Sequence, residues 1–299
     1  MNLLNKITKL FENFFFRLMN LNDIKSNIDK LKINQGKLLI KNLKDCDLDN
    51  LDNLAFSIYS QFNEDGIIQF LINNLDIKNK EFIEIGVENF EEANTRFLLQ
   101  NNCWKGLIID SLKENINFIK KQTYYWRYQL EAEDVFITKE NVNNIIKKYD
   151  FKQNIGLLSI DIDGNDYWVW DAISSINPDV LIIEYNSLFG SEKSLTIKYD
   201  KNFVRPNRGI YKCLYGASLK ALTNLSEKKG YSLVAVNSNG NNAFYVRNEL
   251  LNEKIYKRDV IKCFKKNTFK EYIDIDGEIK NINNDDLNKL LISEKIIEI

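Results

Sequence analysis

Short apolar runs alternate with polar stretches of helical character along the middle of the chain. Residues 107–109 and 181–183 are wholly apolar, which is typical of strands buried on both faces of a parallel sheet. The alternation favours an α/β fold with helices on both faces of the sheet. The predicted strands are residues 82–85, 106–109, 125–130, 156–160 and 180–183, and the predicted helices are residues 94–100, 114–121, 140–148 and 167–174.

The alternating pattern stops after Glu184, and residues 186–217 have no strong periodicity. Residues 219–229 then predict a helix. Residues 231–236 and 243–247 predict two strands that are close enough to form a hairpin. We therefore predict five parallel strands, a helix and a terminal hairpin, which together make a sheet of seven strands.

The pattern divides the chain into three regions. Residues 1–55 are a polar extension of helical character, and residues 56–248 form the α/β domain, within which residues 186–217 are an insertion. Residues 249–299 are charged and mixed, which predicts a helical or irregular appendage.

Apolar residues recur at helical spacing through residues 1–20, with basic residues among them. One explanation is an amphipathic helix that lies on a membrane surface. The other is a helix that packs on the protein itself or on a second copy in a homo-oligomer. Lys6 and Lys9 interrupt the apolar run, which argues against a secretory signal.

The chain has no histidine among its 299 residues. This excludes Ser-His-Asp and Cys-His catalytic sites, histidine zinc sites and an imidazole base. Lys and Arg total 41 against 42 Asp and Glu, a net charge of -1, so nothing indicates a nucleic-acid partner. Chemistry must therefore depend on carboxylates, Lys, Tyr, Cys, backbone groups or a metal with oxygen ligands.

The four cysteines are far apart and form no CxxC pair. This argues against a disulfide framework or a thiolate metal site and fits a reducing cytoplasm. We expect a cytoplasmic protein, with attachment to the inner face of the membrane left open by residues 1–20.

Acidic residues follow most of the predicted strands, at the edge of the sheet where open α/β folds bind ligands. Glu84 and Gly86 come at the end of the first strand, and Asp110 ends the second. The polar residues after the fourth and fifth strands are Asp161, Asp163, Asp166, Glu184 and Asn186.

Each of these carboxylates also has an ordinary explanation. Glu84 could cap the start of a helix, and Asp166 could be the N-cap of the helix that follows it. Asp110 could be a loop residue. Asp161 and Asp163 begin like a calcium loop, but the closing Glu of that loop is absent.

Glycine-rich phosphate-binding motifs are missing from the sequence. Neither G-x-x-x-x-G-K-[ST] nor G-x-G-x-x-G occurs, and Glu88 and Glu91 would repel a pyrophosphate. A ligand without phosphates and with a positive centre suits this crevice better. S-adenosylmethionine, which carries a sulfonium and an ammonium group, meets that description.

Several segments resemble class I S-adenosylmethionine-dependent methyltransferases of the FkbM-like type, found among bacterial capsule and lipopolysaccharide genes. The resemblance spans about residues 56–248. Its segments are SQFNEDG at 60–66, FIEIG at 82–86, NTR at 94–96, GLIID at 106–110, LSIDIDGND at 158–166, IEYN at 183–186, YGASL at 215–219 and NAFYVR at 242–247.

The resemblance implies a Rossmann-like class I methyltransferase sheet, whose final hairpin separates it from the dehydrogenase type. It also implies that Glu84 and Gly86 line the methionine end of the cofactor and that Asp110 holds the ribose. The residues expected near the adenine are Ser111 or the pair Glu133 and Asp134. The first motif departs from the family, because Asn89 and Phe90 stand where a second glycine is expected.

Methyl transfer to a hydroxyl requires removal of its proton, and two routes are open without histidine. Asp161 or Asp163 could act as a general base with a raised pKa. Alternatively, Asp161, Glu184 and Asn186 could hold Mg²⁺ or Mn²⁺, which acidifies the hydroxyl. The resemblance favours the metal slightly, because metal-dependent O-methyltransferases place Asp, Asp and Asn at similar strand ends.

The insertion of residues 186–217 is expected on the acceptor side, or else is a surface feature. A sugar or nucleotide-linked sugar is the predicted acceptor. Its expected contacts are Tyr199, Arg205, Arg208, Tyr215 and the hairpin residue Asn242.

Two other functions compete with a sugar O-methyltransferase. A non-catalytic glycan-binding or scaffold module is compatible with the incomplete glycine motif. A nicotinamide-dependent enzyme is disfavoured because the dinucleotide fingerprint is missing.

Overall fold

A seven-stranded sheet lies at the centre of the protein, which a computed structural model describes over residues 3–43, 46–49, 51–267 and 271–299. Side chains are described for these residues except 3–22, 51, 52 and 271. The first eight strands are β1 (Glu81–Ile85), β2 (Lys105–Asp110), β3 (Leu130–Asp134), β4 (Asn154–Ile160), β5 (Asn177–Glu184), β6 (Leu195–Ile197), β7 (Tyr231–Val236) and β8 (Asn242–Arg247).

The strand order in the sheet is β3-β2-β1-β4-β5-β8-β7. β1 to β5 pair in parallel, whereas β8 pairs antiparallel with both β5 and β7. This confirms the predicted class I methyltransferase sheet with its terminal hairpin. The short strand β6 lies outside this sheet.

Helices cover both faces of the sheet, as predicted. Phe82 and Ile108 point to one face and pack with residues of α3, α4 and α5, while Ile83 and Leu107 point to the other and pack with α7, α8 and α9. The helices are α1 (Leu3–Asn42), α2 (Leu51–Leu54), α3 (Glu64–Asn74), α4 (Arg96–Asn102), α5 (Lys113–Lys120), α6 (Thr123–Arg127), α7 (Val142–Ile146), α8 (Asp166–Ala172), α9 (Leu219–Lys228), α10 (Val260–Cys263) and α11 (Asn284–Leu291).

The third strand was predicted in the wrong place. Residues 125–130 have the aromatic character of a strand, but α6 ends at Arg127 and β3 begins at Leu130. β3 is an edge strand in which Leu130 and Ala132 are buried, whereas its acidic residues Glu131, Glu133 and Asp134 are partly or fully exposed. Because one face of an edge strand meets water, β3 contains acidic residues and lacks an apolar run.

α1 is a single helix of 40 residues that packs on the α/β domain through its second half. Ile33, Leu39 and Ile40 contact a cluster that contains Phe97 of α4. The predicted membrane contact through residues 1–20 falls on side chains outside the described ones. Among the helices that the structure describes, none combines the length and apolar character needed to cross a bilayer.

The C-terminal residues pack against the segment that follows β5. β11 (Ile296–Glu298) pairs antiparallel with β6, and Leu290 of α11 packs with Phe189 and Leu214. A separate hairpin consists of β9 (Glu271–Ile273) and β10 (Ile279–Asn281). Residues 249–299 therefore support the segment that was expected to face the acceptor.

Candidate functional site

A cavity of about 500 Å³ opens at the carboxyl ends of β1, β2, β4 and β5. Small-molecule sites occupy about 300–1,000 Å³. Among the described residues that line it, seven are acidic and one is basic. The acidic residues are Glu84, Glu88, Glu92, Asp110, Asp161, Asp163 and Glu184, and the basic residue is Arg205. Such a lining favours a ligand with positive charge and disfavours phosphates.

Gly86 brings the loop after β1 directly against the end of β4. Its φ is 84°, and a Cβ atom there would lie 1.6 Å from the carbonyl oxygen of Asp161. The Gly86 N–H donates to the Ile109 carbonyl at 2.8 Å, and the Asp161 N–H donates to the Ile85 carbonyl at 2.9 Å. Glycine is therefore required here, and the ends of β1, β2 and β4 converge around it.

Glu84 accepts hydrogen bonds from the residues just before α4. The N–H groups of Asn94 and Thr95 donate to its carboxylate at 2.9 and 3.0 Å, and the Thr95 hydroxyl also donates. Burial raises the pKa of Glu84 to about 7, although these hydrogen bonds oppose the rise. Glu84 thus satisfies the start of a helix, as one explanation expected, and also lines the cavity.

Asp110 connects the loops after β1 and β2. Its carboxylate accepts from the N–H of Glu88 at 2.8 Å, from the N–H of Leu112 at 2.8 Å and from the side-chain amide of Asn115 at 3.0 Å. Asp110 is nevertheless a lining residue of the cavity. Both loops are held in place by one carboxylate that also faces the ligand space.

The loop after Gly86 contains two residues other than glycine that have positive φ values. Glu88 and Phe90 have φ values of 47° and 60°, in the left-handed region that L-residues rarely adopt. Phe90 is fully buried and packs edge-on against Tyr124 with ring centroids 5.8 Å apart. The second glycine expected from the resemblance is absent, but the left-handed backbone is present. Packing of the Phe90 side chain offsets the free-energy cost of that backbone.

The structure does not bring Glu133 and Asp134 to the cavity. Glu133 forms an ion pair with Lys148 at 2.6 Å and accepts from the Tyr149 hydroxyl at 2.5 Å, and neither acidic residue is among the lining residues. Ser111 does line it. The apolar lining residues at this end, a set suited to an aromatic base, are Leu112, Val135, Phe136 and Ile137, and the polar Asn115 also lines it.

Asp161 and Glu184 face each other at the opposite end of the cavity. Their carboxylate oxygens and one from Asp163 all lie within 4.8 Å of one another. Burial raises the pKa of Asp161 well above its ordinary value, and the charges of Asp163 and Asp166 add to this. Burial also raises the pKa of Glu184, with repulsion from Asp161 as the next cause. Two such carboxyls share one proton or one cation more readily than they both ionise.

Glu184 has a buried oxygen, Oε2, with no hydrogen-bond partner among the described residues. A buried acceptor of this kind costs free energy unless a ligand, ion or proton satisfies it. The oxygen-only donor set of Asp161, Asp163 and Glu184 suits Mg²⁺ or Mn²⁺.

Asn186, a predicted metal ligand, is used differently. Its amide donates to the carbonyls of Cys213 and Tyr215 at 2.9 and 3.0 Å, and its oxygen accepts from the Leu188 N–H. Asp163 lines the cavity near the two facing carboxyls, whereas Asn186 is not among the lining residues.

Asp166 shapes the loop that carries Asp163. Its carboxylate accepts from the N–H groups of Ile162 at 2.8 Å and Gly164 at 2.9 Å, while Asn165 is the N-cap residue of α8. Asp163 has a φ of 56° and forms an ion pair with Arg205. Asp166 is therefore a loop-forming residue, neither an N-cap nor a lining group.

The predicted acceptor residues are divided between the cavity and the surface. Arg205 lines the cavity and stacks on the Tyr215 ring, 3.7 Å from its centroid. Asn242 lines it too and neighbours Glu184 across the sheet. Tyr199 instead binds Glu140, and Arg208 is exposed, and neither is a lining residue.

Sequence reasoning missed several lining residues, namely Gln61, Asn94, Leu112, Phe136, Asn165 and Phe203. Placing β3 five residues later along the chain would have put residues 135–137 at its carboxyl end. The others lie in loops, where no periodicity marks a residue as facing a ligand.

Comparison with solved structures finds methyltransferases at low identity. The chain is similar to the N-terminal domain of EvdMO1 with S-adenosylhomocysteine bound, with 10% identity, 63% of this chain and 81% of that chain covered, and a TM-score of 0.41. It is also similar to an O-methyltransferase from Bacillus cereus in complex with S-adenosylhomocysteine (14% identity, 69% and 88% covered, TM-score 0.38). A third is an S-adenosylmethionine-dependent methyltransferase from Clostridium acetobutylicum (10%, 68% and 92%, TM-score 0.35).

No protein-family model and no curated protein matches the chain by sequence. Structural similarity at this level assigns no role to any residue of the chain.

Proposed function

We propose that the protein is an S-adenosylmethionine-dependent O-methyltransferase that acts on a sugar hydroxyl. The observation that carries this proposal is the cavity at the strand ends, whose lining has seven acidic residues, one basic residue and a facing pair of carboxyls, the buried Glu184 and the half-buried Asp161. The acceptor is a nucleotide-linked sugar or a glycan for a surface polysaccharide, as the FkbM-like resemblance implies.

S-adenosylmethionine fits the charge of the cavity and the division of its lining. Glu84 and Gly86 would face the methionine end, whose ammonium carries positive charge, and Asp110 would accept from the ribose hydroxyls. Leu112 and Phe136 would contact the adenine. When bound, the cofactor would supply an electrophilic methyl group.

The Asp161 and Glu184 pair has two ways to remove the acceptor proton. Its carboxylates can take the proton directly, because burial raises their pKa values and so makes them stronger bases. They can also hold a divalent cation together with Asp163, and the cation then lowers the pKa of the hydroxyl. We favour the cation slightly, since three carboxylate oxygens lie within 4.8 Å of one another.

Buried oxygen atoms that lack a hydrogen-bond donor support a methyl acceptor with several hydroxyl groups. Glu184 Oε2, Asn165 Oδ1 and Asn242 Oδ1 are buried without a hydrogen-bond partner among the described residues, and all three residues line the cavity. Sugar hydroxyls would donate to such oxygens.

Calorimetry with S-adenosylmethionine and S-adenosylhomocysteine tests the cofactor assignment. We expect both to bind the wild-type protein in the presence of Mn²⁺, and we expect NADH not to bind. Asp110→Ala should weaken binding by at least about tenfold, because the ribose hydroxyls lose an acceptor. Glu131→Gln, an exposed substitution on β3, is the control. Absence of binding would instead support a non-catalytic module.

Chelation separates the two proton-removal routes. Methyl transfer to a panel of nucleotide-linked hexoses, followed as release of S-adenosylhomocysteine, should stop in EDTA and return with Mg²⁺ or Mn²⁺. Full activity in EDTA would assign the proton to the carboxylate pair alone.

A further inference from the structure

Arg96 lies behind the loop of residues 87–92, which forms part of the cavity wall. It occupies the first turn of α4 and is 4% exposed. Its Nη1 donates to the carbonyls of Phe90 at 3.2 Å and Glu91 at 3.1 Å. The guanidinium thus holds the two consecutive carbonyls at the point where Phe90 adopts its left-handed backbone.

Two tyrosines and the helix α1 fix the guanidinium in turn. It lies 4.1 Å from the ring centroid of Tyr59 and 4.9 Å from that of Tyr124. Its Nη2 is 3.6 Å from Asp29 Oδ2 on α1. Arg96 is therefore enclosed on several sides, with one face towards the loop and another towards α1.

α1 also reaches the loop directly. Lys25 Nζ lies 2.7 Å from Glu91 Oε1. Further along the helix, Gly36 packs so closely on α4 that a Cβ atom there would lie 2.3 Å from the ring of Phe97, the residue after Arg96. The N-terminal helix thus contacts both the loop and the helix that holds it.

We propose that Arg96 is a positioning residue for the cofactor and that α1, through Lys25 and Asp29, is part of the support of the cofactor loop. The inference rests on the proposed function, because it assigns the loop of residues 87–92 to S-adenosylmethionine. The left-handed residues Glu88 and Phe90 have a conformation that the free chain disfavours, so surrounding contacts must hold it. Arg96 and α1 supply part of those contacts, at Phe90 and Glu91, from positions that do not line the cavity.

The first experiment removes both ion pairs on α1 in a Lys25→Met and Asp29→Asn double variant. We expect its Kd for S-adenosylhomocysteine to rise about tenfold, since residues that support a site commonly change its affinity by this much. The KM for S-adenosylmethionine should rise by the same factor, while kcat at saturating cofactor is unchanged. Lys30→Met with Asp23→Asn, two exposed residues of the same helix, is the charge-matched control and should bind like wild type.

The second experiment uses Gly36→Ala. An alanine inside a helix ordinarily stabilises it. Here its Cβ would push α1 away from Phe97, so we expect weaker cofactor binding with the charges of α1 unchanged. Arg96→Lys keeps the charge but loses the planar guanidinium, whose Nη1 donates to both carbonyls and which lies against the rings of Tyr59 and Tyr124, so it should also raise the Kd.

Hydrogen exchange of the cofactor-free protein gives a readout that does not depend on the ligand. The amides of residues 87–92 should exchange faster in the double variant than in the control. If the double variant and the control have equal exchange rates and equal Kd values, the support role of α1 is overturned, and the proposed function is unaffected. Absence of cofactor binding in the wild-type protein, with faster exchange in the variant, would overturn the proposed function and the cofactor role of Arg96 but keep the link between α1 and the loop.

Discussion

The carboxylates at the two ends of the cavity are used in opposite ways. At the β1 and β2 end, Glu84 and Asp110 accept hydrogen bonds from backbone N–H groups of the loops beside them. At the β4 and β5 end, Asp161 and Glu184 face each other, and Glu184 Oε2 has no partner within the described part of the chain. The first pair holds the loops of the site in place, whereas the second pair is the one that we propose takes part in the reaction.

This difference distinguishes two roles of a buried carboxyl group, one structural and one chemical. A carboxyl group surrounded by N–H donors holds the neighbouring loops in place, so its loss should weaken structure and binding together. Two carboxyls buried side by side destabilise the fold, and their presence is explained by chemistry rather than by stability. The same residue types at equivalent strand ends thus predict different mutant phenotypes.

The largest expected effect is on the facing pair. Asp161→Asn and Glu184→Gln should each lower the rate of methyl transfer by about 100-fold to 10,000-fold, the range of a lost general base or its equivalent. The melting temperature should stay the same or rise, because each change removes one of two neighbouring carboxyls whose ionisation burial disfavours. Initial rates with the panel of nucleotide-linked hexoses, together with thermal unfolding, check both parts. A variant that lost rate and several degrees of stability together would place the pair among the structural carboxylates.

The pH dependence of stability should distinguish Glu84 from its uncharged analogue. Its pKa is raised from 4.5 in the unfolded chain to about 7 in the folded protein, so the folded state binds the proton more tightly. The contribution of Glu84 to the free energy of unfolding is therefore full below pH 4.5 and declines by about 3 kcal/mol as the pH rises to 7. Urea unfolding of wild type and Glu84→Gln at several pH values measures it. The difference between the two should change over this range, and parallel curves would contradict the raised pKa.

Asp110→Asn should have a smaller effect that appears in both structure and binding. Asparagine keeps one acceptor but turns an amide towards an N–H donor, so one of the bonds to Glu88 or Leu112 is lost. We expect the free energy of unfolding to fall by about 1–3 kcal/mol and the affinity for S-adenosylhomocysteine to fall about tenfold. Urea unfolding and calorimetry measure the two quantities, with Glu131→Gln as control. An affinity loss without a stability loss would mean that Asp110 acts on the ligand alone.

The apolar runs were sufficient to predict the sheet but not its edge. The central strands β1, β2, β4 and β5 are buried on both faces, so each contains a run of apolar residues that predicts a strand. β3 has one exposed face and acidic residues, and the neighbouring aromatic run of residues 124–126 drew the prediction to the wrong segment. Residues 135–137, which follow the observed β3, line the cavity, whereas Glu133 and Asp134, which the resemblance implied, do not.

The site was predictable where the backbone fixes the position of a residue. Glu84, Gly86, Asp110, Asp161 and Glu184 end strands of one parallel sheet, and all of them line the cavity. Side-chain partners were not predictable, because they depend on contacts between distant segments. Asn186 reaches two carbonyls 27 and 29 residues away, and Asp163 meets an arginine 42 residues away.

Substitution of Asp163 has the smallest expected effect. It tests whether Asp163 acts together with Asp161 and Glu184. Its side chain is 54% exposed and pairs with Arg205, so Asp163→Asn should change the free energy of unfolding by less than about 1 kcal/mol. Asparagine also tolerates the left-handed backbone at this position, where φ is 56°. Because Asp161 and Glu184 remain, we expect affinity for Mn²⁺, measured by electron paramagnetic resonance titration, to fall less than about tenfold. A loss as large as that of Glu184→Gln would make Asp163 a full member of the reactive group, and unchanged affinity would leave it as a partner of Arg205 only.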